Sequence, residues 1–292
     1  MKNIIISIPA FNEADSISSV IKEIKEVMDK EKWKYSIHVI NDGSSDSTAE
    51  IAKNAGAKVF SRKRNQGLAF TFKEELQYAL AAKADIIVHT DADGQYPARF
   101  IPALINKVEE GFDLVLGSRF LEGRKHASFW KNFGNRAFAR VFSRLCKVKL
   151  TDTTTGFRAF NSDIAKEINF TNTFTYTQEQ LIRASKMKFK IAEVPIEARV
   201  TRESRLFNNI FEYAFKAWVN IFRIYRDYDP LKFFGRIGFY LVSIGTVIGI
   251  WLVYLFLTTG RIGHMPATIL TGLLIITGFQ VIIFGFLADM KR

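Results

Sequence analysis

Short apolar runs alternate with amphipathic stretches through the first part of the chain. Ile4 to Ile8 and Ser36 to Ile40 are rich in β-branched residues and read as strands. Between them, from about Ser16 to Asp29, Ile17, Val20, Ile21, Ile24 and Val27 recur at helical spacing. Strand, helix and strand within about 40 residues make a βαβ unit. The pattern continues with a helix at Ser47 to Asn54, a strand at Lys58 to Phe60, a helix at Phe70 to Ala82 and the apolar run Ile86-Ile87-Val88. A helix at Ala98 to Glu109 and a strand at Leu114 to Leu116 follow. The expected fold is a mostly parallel, doubly wound α/β sheet over residues 1 to about 120.

Beyond that point the alternation stops and helical stripes dominate. From Phe129 to Leu145, Trp130, Phe133, Ala137, Phe138, Val141, Phe142 and Leu145 form one stripe, with Arg136, Arg140 and Arg144 on another face. Such a helix suits a lipid interface, or equally a packed helix with a solvated basic face. Phe207 to Tyr225 repeats the pattern and is expected at the interface, because it runs almost directly into an apolar segment. That segment, Ile237 to Leu257, and a second, Ala267 to Leu287, carry no charge. At roughly 1.5 Å per residue each can cross a hydrocarbon core of about 30 Å. The expected organisation is a catalytic domain over residues 1–206, an interface helix over 207–232 and a two-helix transmembrane hairpin over 233–292. No internal repeat or low-complexity tract is present.

Charge and composition place this hairpin. The 292 residues hold 41 Lys and Arg against 29 Asp and Glu, a net +12 that favours polyanionic partners. Lys216, Arg223, Arg226, Lys232 and Arg236 precede the first span, Lys291 and Arg292 follow the second, and only Arg261 lies between. The positive-inside rule therefore predicts that both ends are cytosolic. The stretch before Pro9 is too short for a signal peptide, so the chain is expected to start in the cytosol. Hydrophobic residues make up 48%, including 27 Phe, so part of the surface is expected to face something other than water. The single Cys146 forms no intrachain disulfide, in keeping with a reducing compartment. No base-reading nucleic-acid module is recognisable, and nothing bears on oligomeric state.

Candidate chemistry gathers at strand ends. The first strand closes on Pro9-Ala10-Phe11-Asn12-Glu13, the second on Asn41-Asp42-Gly43-Ser44, and the run before it on Asp91-Ala92-Asp93-Gly94-Gln95. In open α/β sheets ligands bind at this edge. Asn12 and Glu13 also suit a helix N-terminus, and Ser44 to Ser47 suit a helix cap. If the backbone stays extended, Asp91 and Asp93 point the same way, and with Gln95 they offer oxygens to Mg²⁺ or Mn²⁺. The G-x-x-x-x-G-K-[ST] and strand-linked G-x-G-x-x-G loops are missing, so a cation rather than backbone amides is expected to meet a diphosphate.

These motifs occur in sequence with Gly117-Ser118-Arg119, Thr155-Gly156-Phe157-Arg158, Glu193-Val194-Pro195-Ile196 and Ser204-Arg205-Leu206. With two C-terminal spans, the set resembles the family 2 glycosyltransferases of the GT-A fold, in particular the dolichyl-phosphate mannose, glucose and N-acetylglucosamine synthase group. The resemblance covers essentially the whole chain. It implies that Pro9, Phe11, Asn12, Glu13, Ile40, Asp42, Ala92, Gln178 and Glu179 serve the nucleotide sugar. It implies also that Asp91, Asp93 and Gln95 hold the metal and diphosphate, and that Asp93, Arg119, Arg136 and Arg205 are catalytic, the arginines meeting phosphates. Departures from the family pattern are Leu68 where many relatives carry Lys, no Gly before Ser204-Arg205, and Ala184 where processive synthases carry Trp.

The expected reaction is inverting transfer of a hexose or N-acetylhexosamine from a nucleotide sugar to a polyprenyl phosphate, dolichyl or undecaprenyl, on the cytosolic leaflet. A UDP-sugar is favoured over GDP-mannose by the stretch Ser204 to Tyr228, which looks more like archaeal enzymes that begin N-glycan assembly. Phosphate monoesters are mostly dianionic at pH 7, so Glu179 is not assigned as an obligatory base. The alternatives are non-processive transfer to another lipid-linked glycan, and a non-catalytic adaptor that binds nucleotide or lipid at the membrane.

Overall fold

The computed structural model describes residues 2–121, 139–167, 176–199, 219, 222–223, 226, 229–261 and 264–290. Two compact units divide the chain, Met1–Arg205 and Leu206–Arg292.

The first unit is built on a seven-stranded sheet of order β3-β2-β1-β4-β6-β5-β7. Its strands are β1 (Asn3–Ala10), β2 (Lys34–Asn41), β3 (Lys58–Ser61), β4 (Ile86–His89), β5 (Leu114–Ser118), β6 (Arg158–Asn161) and β7 (Ile191–Pro195). Between them lie α1 (Ile17–Met28), α2 (Thr48–Asn54), α3 (Leu68–Ala81) and α4 (Ile101–Glu109), the last entered through a 3₁₀ turn at Ala98–Phe100. A helical segment α5 at 139–146, α6 (Ser162–Glu167) and α7 (Tyr176–Lys186) complete the unit. All pairings are parallel except those of β6, which runs antiparallel to both β4 and β5. The mostly parallel α/β sheet expected from the sequence is therefore present. Its extent differs: it does not end near residue 120, because β6 inserts between β4 and β5 and β7 adds an edge. Neither strand has a long apolar run. β6 opens on a charged residue, and β7 carries Glu193 at its centre and a proline at its end.

Apolar runs in β1 and β4 are continuous because both faces of the sheet are covered. Ile4, Ile6 and Ile8 of β1 and Ile86 and Val88 of β4 join Ile17, Ile21, Ile24 and Met28 of α1 and Leu104 and Ile105 of α4 in one core. The intervening Ile5 and Ile87 are equally buried but belong to the other face, as the period of two in a strand requires. Phe72, Leu76 and Ala79 of α3 are buried outside that core, and the Phe72 ring lies 6.2 Å from Phe160 of β6. Each fully buried Ile contributes about 1.5–3 kcal/mol, so the strands beneath the site are among the best anchored parts of the chain.

In α5, Ala139, Phe142 and Cys146 are buried while Arg140 and Arg144 are exposed, the pattern of a packed helix with a solvated basic face. Ser185 of α7 donates to the Cys146 carbonyl at 2.6 Å. Trp130, Phe133, Arg136 and most of Phe207 to Tyr225 lie outside the described residues.

In the second unit two helices, Pro230–Thr259 and Met265–Met290, are long and apolar enough to cross a membrane. Each extends the expected span at both ends. Glycines set their approach: a Cβ on Gly278 would stand 2.6 Å from Val242 Cγ2 and 2.9 Å from the Gly238 carbonyl. Any larger side chain there would push the helices apart.

Candidate functional site

The C-terminal ends of β2, β1 and β4 meet at one edge, so the three acidic segments singled out in the sequence are neighbours. At the β1 end Phe11 is 42% exposed and Asn12 has a left-handed backbone (φ 54°). This turn is sewn to the loop after β2. Asn12 N–H donates to Ser44 Oγ at 2.9 Å, Ser45 N–H to Asn12 Oδ1 at 2.9 Å, and Glu13 N–H to Thr48 Oγ1 at 2.8 Å. Pro9 is buried, and Ile40, fully buried, presents no surface to a ligand in this conformation.

Asp42 is 4% exposed and held by the chain itself. Its Oδ1 accepts from Arg62 Nη1 and Gln66 N–H at 3.0 Å each, and its Oδ2 from Gly67 N–H at 2.9 Å. The loop Asn65-Gln66-Gly67 is thus fastened to the β2 end by Asp42. A carboxylate has about four lone-pair sites, so little capacity remains for a ligand.

The β4 end is different. Beyond His89 the backbone turns at Ala92-Asp93 instead of continuing extended, so the extended geometry that would aim Asp91 and Asp93 alike is not what brings them together. The turn is fixed by Gln95 N–H donating to Asp93 Oδ1 at 2.9 Å. The Gln95 carbonyl accepts from Arg199 N–H at 2.8 Å, and Arg199 forks onto Glu23 at 2.8 and 2.9 Å. Ala92 is buried against the core.

Asp91 accepts no hydrogen bond among the described residues. A Cβ added to Gly156 would stand 3.0 and 3.2 Å from its two oxygens, so only glycine lets the β6 loop pass this close. On another side His89 Nε2 lies 3.9 Å from Oδ1. Burial pushes the Asp91 carboxyl above the usual carboxylate range and Asp93 adds to this, while His89 and Arg119 act in the opposite direction. A cation would relieve that cost. Asp91, Asp93 and Gln95 are hard oxygen donors, the type that Mg²⁺ and Mn²⁺ take. Among the described residues no three His, Cys, Asp or Glu side chains form a complete metal site, so ligand oxygens and water would supply the rest.

Across the cleft floor, the end of β5 and the start of β6 carry a second polar assembly. Arg119, 16% exposed at its side chain, donates through Nε to Asp152 Oδ2 at 2.7 Å and through Nη2 to Asp152 Oδ1 at 3.0 Å and Thr154 Oγ1 at 2.9 Å. Burial alone would raise Asp152, but Arg119 holds it below the ordinary carboxylate range. Glu193 of β7 accepts from the N–H groups of Thr151 and Asp152 and from the Thr151 hydroxyl, at 2.8 to 3.0 Å. Arg119 is thus a clamp on the 151–156 loop, with Nη1 left outside these bonds. Gln178 and Glu179, both buried, lie in the first turn of α7. Glu179 accepts from Arg183 Nε at 2.9 Å, and fully buried Arg158 ties Thr177 and Gln180 to β6.

The edge therefore unites Phe11, Asn12, Glu13, Asp42, Asp91, Asp93 and Gln95, while Arg136 and Arg205 lie outside the described residues. Gly156 and Glu193 stood in the sequence only as members of family motifs with no role assigned, while Asp152 and the Glu75–His89 pair beneath Asp91 were not found from sequence. A histidine closing an otherwise apolar strand, Ile86-Ile87-Val88-His89, was the available signal.

Comparison with known proteins agrees with this geometry. The profile described as "Glycosyl transferase family 2" matches residues 5–169. A dolichyl-phosphate hexose transferase of Haloferax volcanii is 33% identical over 189 residues, covering 65% of this chain and 79% of that protein. A prophage bactoprenol glucosyl transferase homolog of Escherichia coli is 25% identical over 289 residues, 97% of this chain and 91% of the other. Among solved structures, glucosyl-3-phosphoglycerate synthase from Mycobacterium tuberculosis, determined with Mn²⁺, UDP and glucosyl-3-phosphoglycerate, superposes with a TM-score of 0.60. It is 21% identical and covers 75% of this chain and 80% of its own, a likeness of fold. With an acidic sheet edge of this topology and a family match that spans it, the chain belongs to glycosyltransferase family 2.

Proposed function

We propose that this glycosyltransferase moves one hexose or N-acetylhexosamine from a nucleotide sugar to a polyprenyl phosphate at the cytosolic membrane face. The observation that carries the reading is Asp91, a carboxylate at the ligand-binding edge that accepts no hydrogen bond among the described residues and is raised by burial and by Asp93. The names of the relatives, a dolichyl-phosphate hexose transferase and a bactoprenol glucosyl transferase homolog, support the acceptor. The structural neighbour bound to Mn²⁺ and UDP supports a divalent cation and favours a UDP-sugar.

Asp91, Asp93 and Gln95 would hold Mg²⁺ or Mn²⁺. When bound, the cation neutralises charge on the departing diphosphate. Phe11, Asn12, Glu13 and Asp42 would border the nucleoside, with Pro9, Ile40 and Ala92 as the packed layer behind them. In the reaction an oxygen of the lipid phosphate bonds to the anomeric carbon as its bond to the nucleoside diphosphate breaks, with inversion. The attacking phosphate has a second pKa near 6 and is mostly dianionic at pH 7. No strong base is needed, consistent with Glu179 being held by Arg183. Gln178 and Glu179 would face the sugar from α7. Arg119, Arg136 and Arg205 would offset the charge of two phosphates brought together, Arg119 through its Nη1 group.

The two apolar helices would form a membrane hairpin with both ends cytosolic, since Lys232 and Arg236 lie at the start of the first and Arg261 alone lies between. Such a topology would leave the N-terminal unit on the cytosolic side.

The test is incubation of the purified full-length protein with short polyprenyl phosphate, Mn²⁺ or Mg²⁺, and UDP-glucose, UDP-N-acetylglucosamine or GDP-mannose. Release of UDP or GDP that depends on the lipid, with a product cleaved by mild acid, is expected. Transfer only to a diphosphate-linked or glycosylated lipid would instead support the other acceptor class. No release with any donor would overturn the reading.

A further inference from the structure

Directly beneath Asp91 lies a buried polar pair that the reaction above does not use. His89, the last residue of β4, is fully buried, and its Nδ1 lies 2.6 Å from Oε2 of Glu75 on α3. Glu75 is itself buried, and its Oε1 makes no hydrogen bond among the described residues. Nε2 pairs with the Tyr176 hydroxyl, 3.2 Å away at the start of α7, with the protonation of the ring deciding which of the two donates. Phe72 and Tyr176 stand edge-on to the imidazole, with ring centroids 5.1 and 5.7 Å from it. Both ring nitrogens are thereby engaged, and the imidazole cannot turn without breaking contacts to two helices.

This arrangement is a poor device for stability. A carboxylate and an imidazole buried among aromatic rings cost desolvation, and an apolar pair of the same volume would pack without it. Its position suggests another role. Nε2 presents an edge 3.9 Å from Asp91 Oδ1, and the Gly156 backbone bounds the same carboxylate elsewhere. Asp91 accepts no hydrogen bond of its own among the described residues, so these two walls are what limit its orientation. Tyr176 meanwhile links the imidazole to the helix that carries Gln178 and Glu179.

We propose that His89, locked by Glu75 and Tyr176, is a positioning residue that sets Asp91 for the divalent cation and couples that carboxylate to the first turn of α7. The inference rests on the reading of Asp91 as a cation ligand. Partners that orient metal ligands from behind typically change metal affinity by about 10- to 100-fold when removed.

The test measures the Mn²⁺ dissociation constant of the full-length protein by electron paramagnetic resonance, with UDP and separately with GDP present, alongside the melting temperature. His89→Phe and Glu75→Leu are expected to weaken Mn²⁺ by about 10- to 100-fold. Glu75→Gln, which keeps an oxygen for Nδ1–H, is expected to restore binding to within about threefold of the parent. Tyr176→Phe removes a single hydroxyl and decides the matter if His89→Phe does not fold; a weakening of about three- to tenfold is expected. Mn²⁺ affinity within twofold of the parent in the folded variants, even with lowered melting temperatures, would show a purely structural pair and overturn the inference. Failure of the parent protein to bind Mn²⁺ with either nucleotide would instead remove the cation reading on which the inference stands.

Discussion

Asp42 and Asp91 close two strands that flank β1 on the same sheet edge, yet the chain treats them oppositely. Asp42 accepts three hydrogen bonds from Arg62, Gln66 and Gly67 and is nearly sealed from solvent. Asp91 accepts none among the described residues, is crowded by Asp93, and has a carboxyl pushed upward by burial. The first carboxylate spends its charge within the fold, as the strut that fastens the 65–67 loop to the β2 end. The second keeps its charge available. A shared residue type at equivalent strand ends therefore does not imply a shared role; the local supply of donors decides.

Substitution should separate the two sharply. Asp91→Asn is expected to lower turnover by about 100- to 1000-fold, with a melting temperature within about 2 °C of the parent, because among the described residues no donor is orphaned by the change. Nucleotide release in the presence of lipid and calorimetry check the two halves of that statement. Asp42→Asn should do the reverse in stability. It leaves the Arg62 guanidinium, 9% exposed at its side chain, with Glu74 alone, and is expected to cost about 3 kcal/mol by denaturant titration.

Gly156→Val tests the close approach behind Asp91. A branched side chain would overlap carboxylate oxygens that lie 3.0 and 3.2 Å from even a single added Cβ, so turnover is expected to fall about tenfold or more. The same substitution at Gly67, where a Cβ would meet nothing within 4 Å, probes only the backbone and the strut side of the edge.

The smallest effect concerns pH and lies on the β2 side. Burial, with Lys58 adding to it, lowers His38 to about 4. A depressed folded value means that the unfolded chain takes up the proton first as pH falls. Stability from His38 is therefore present above about 6.5 and is lost between there and about 4. His38→Gln should flatten the fall in unfolding free energy across that window, by up to about 3 kcal/mol, without altering Mn²⁺ affinity.

Much of the site was legible in the sequence because its determinants are local. The apolar runs marked β1, β2 and β4, and the polar residues that end them had to lie at strand ends. That they share an edge follows from parallel connection alone. The turn at Ala92-Asp93 was not legible, since an extended continuation and a turn after His89 fit the same residues until Gln95 N–H is seen to close on Asp93 Oδ1. Arg119 was legible as a cation beside the site but not as the clamp on Asp152, which lies far along the chain. β6 escaped notice because four residues beginning with a buried arginine have neither an apolar run nor a clear alternation.

The sequence by itself determined the α/β alternation, the positions of the candidate ligands, and two apolar helices long enough for a bilayer, because period and composition act over a few neighbouring residues. Only the tertiary structure decided which aspartate is satisfied and which is left waiting, that Gly156 lies against Asp91, and that Glu75, His89 and Tyr176 meet beneath it. Those outcomes depend on which donors and walls arrive from distant segments, and hydrogen-bond saturation in a folded interior is settled only when the elements pack.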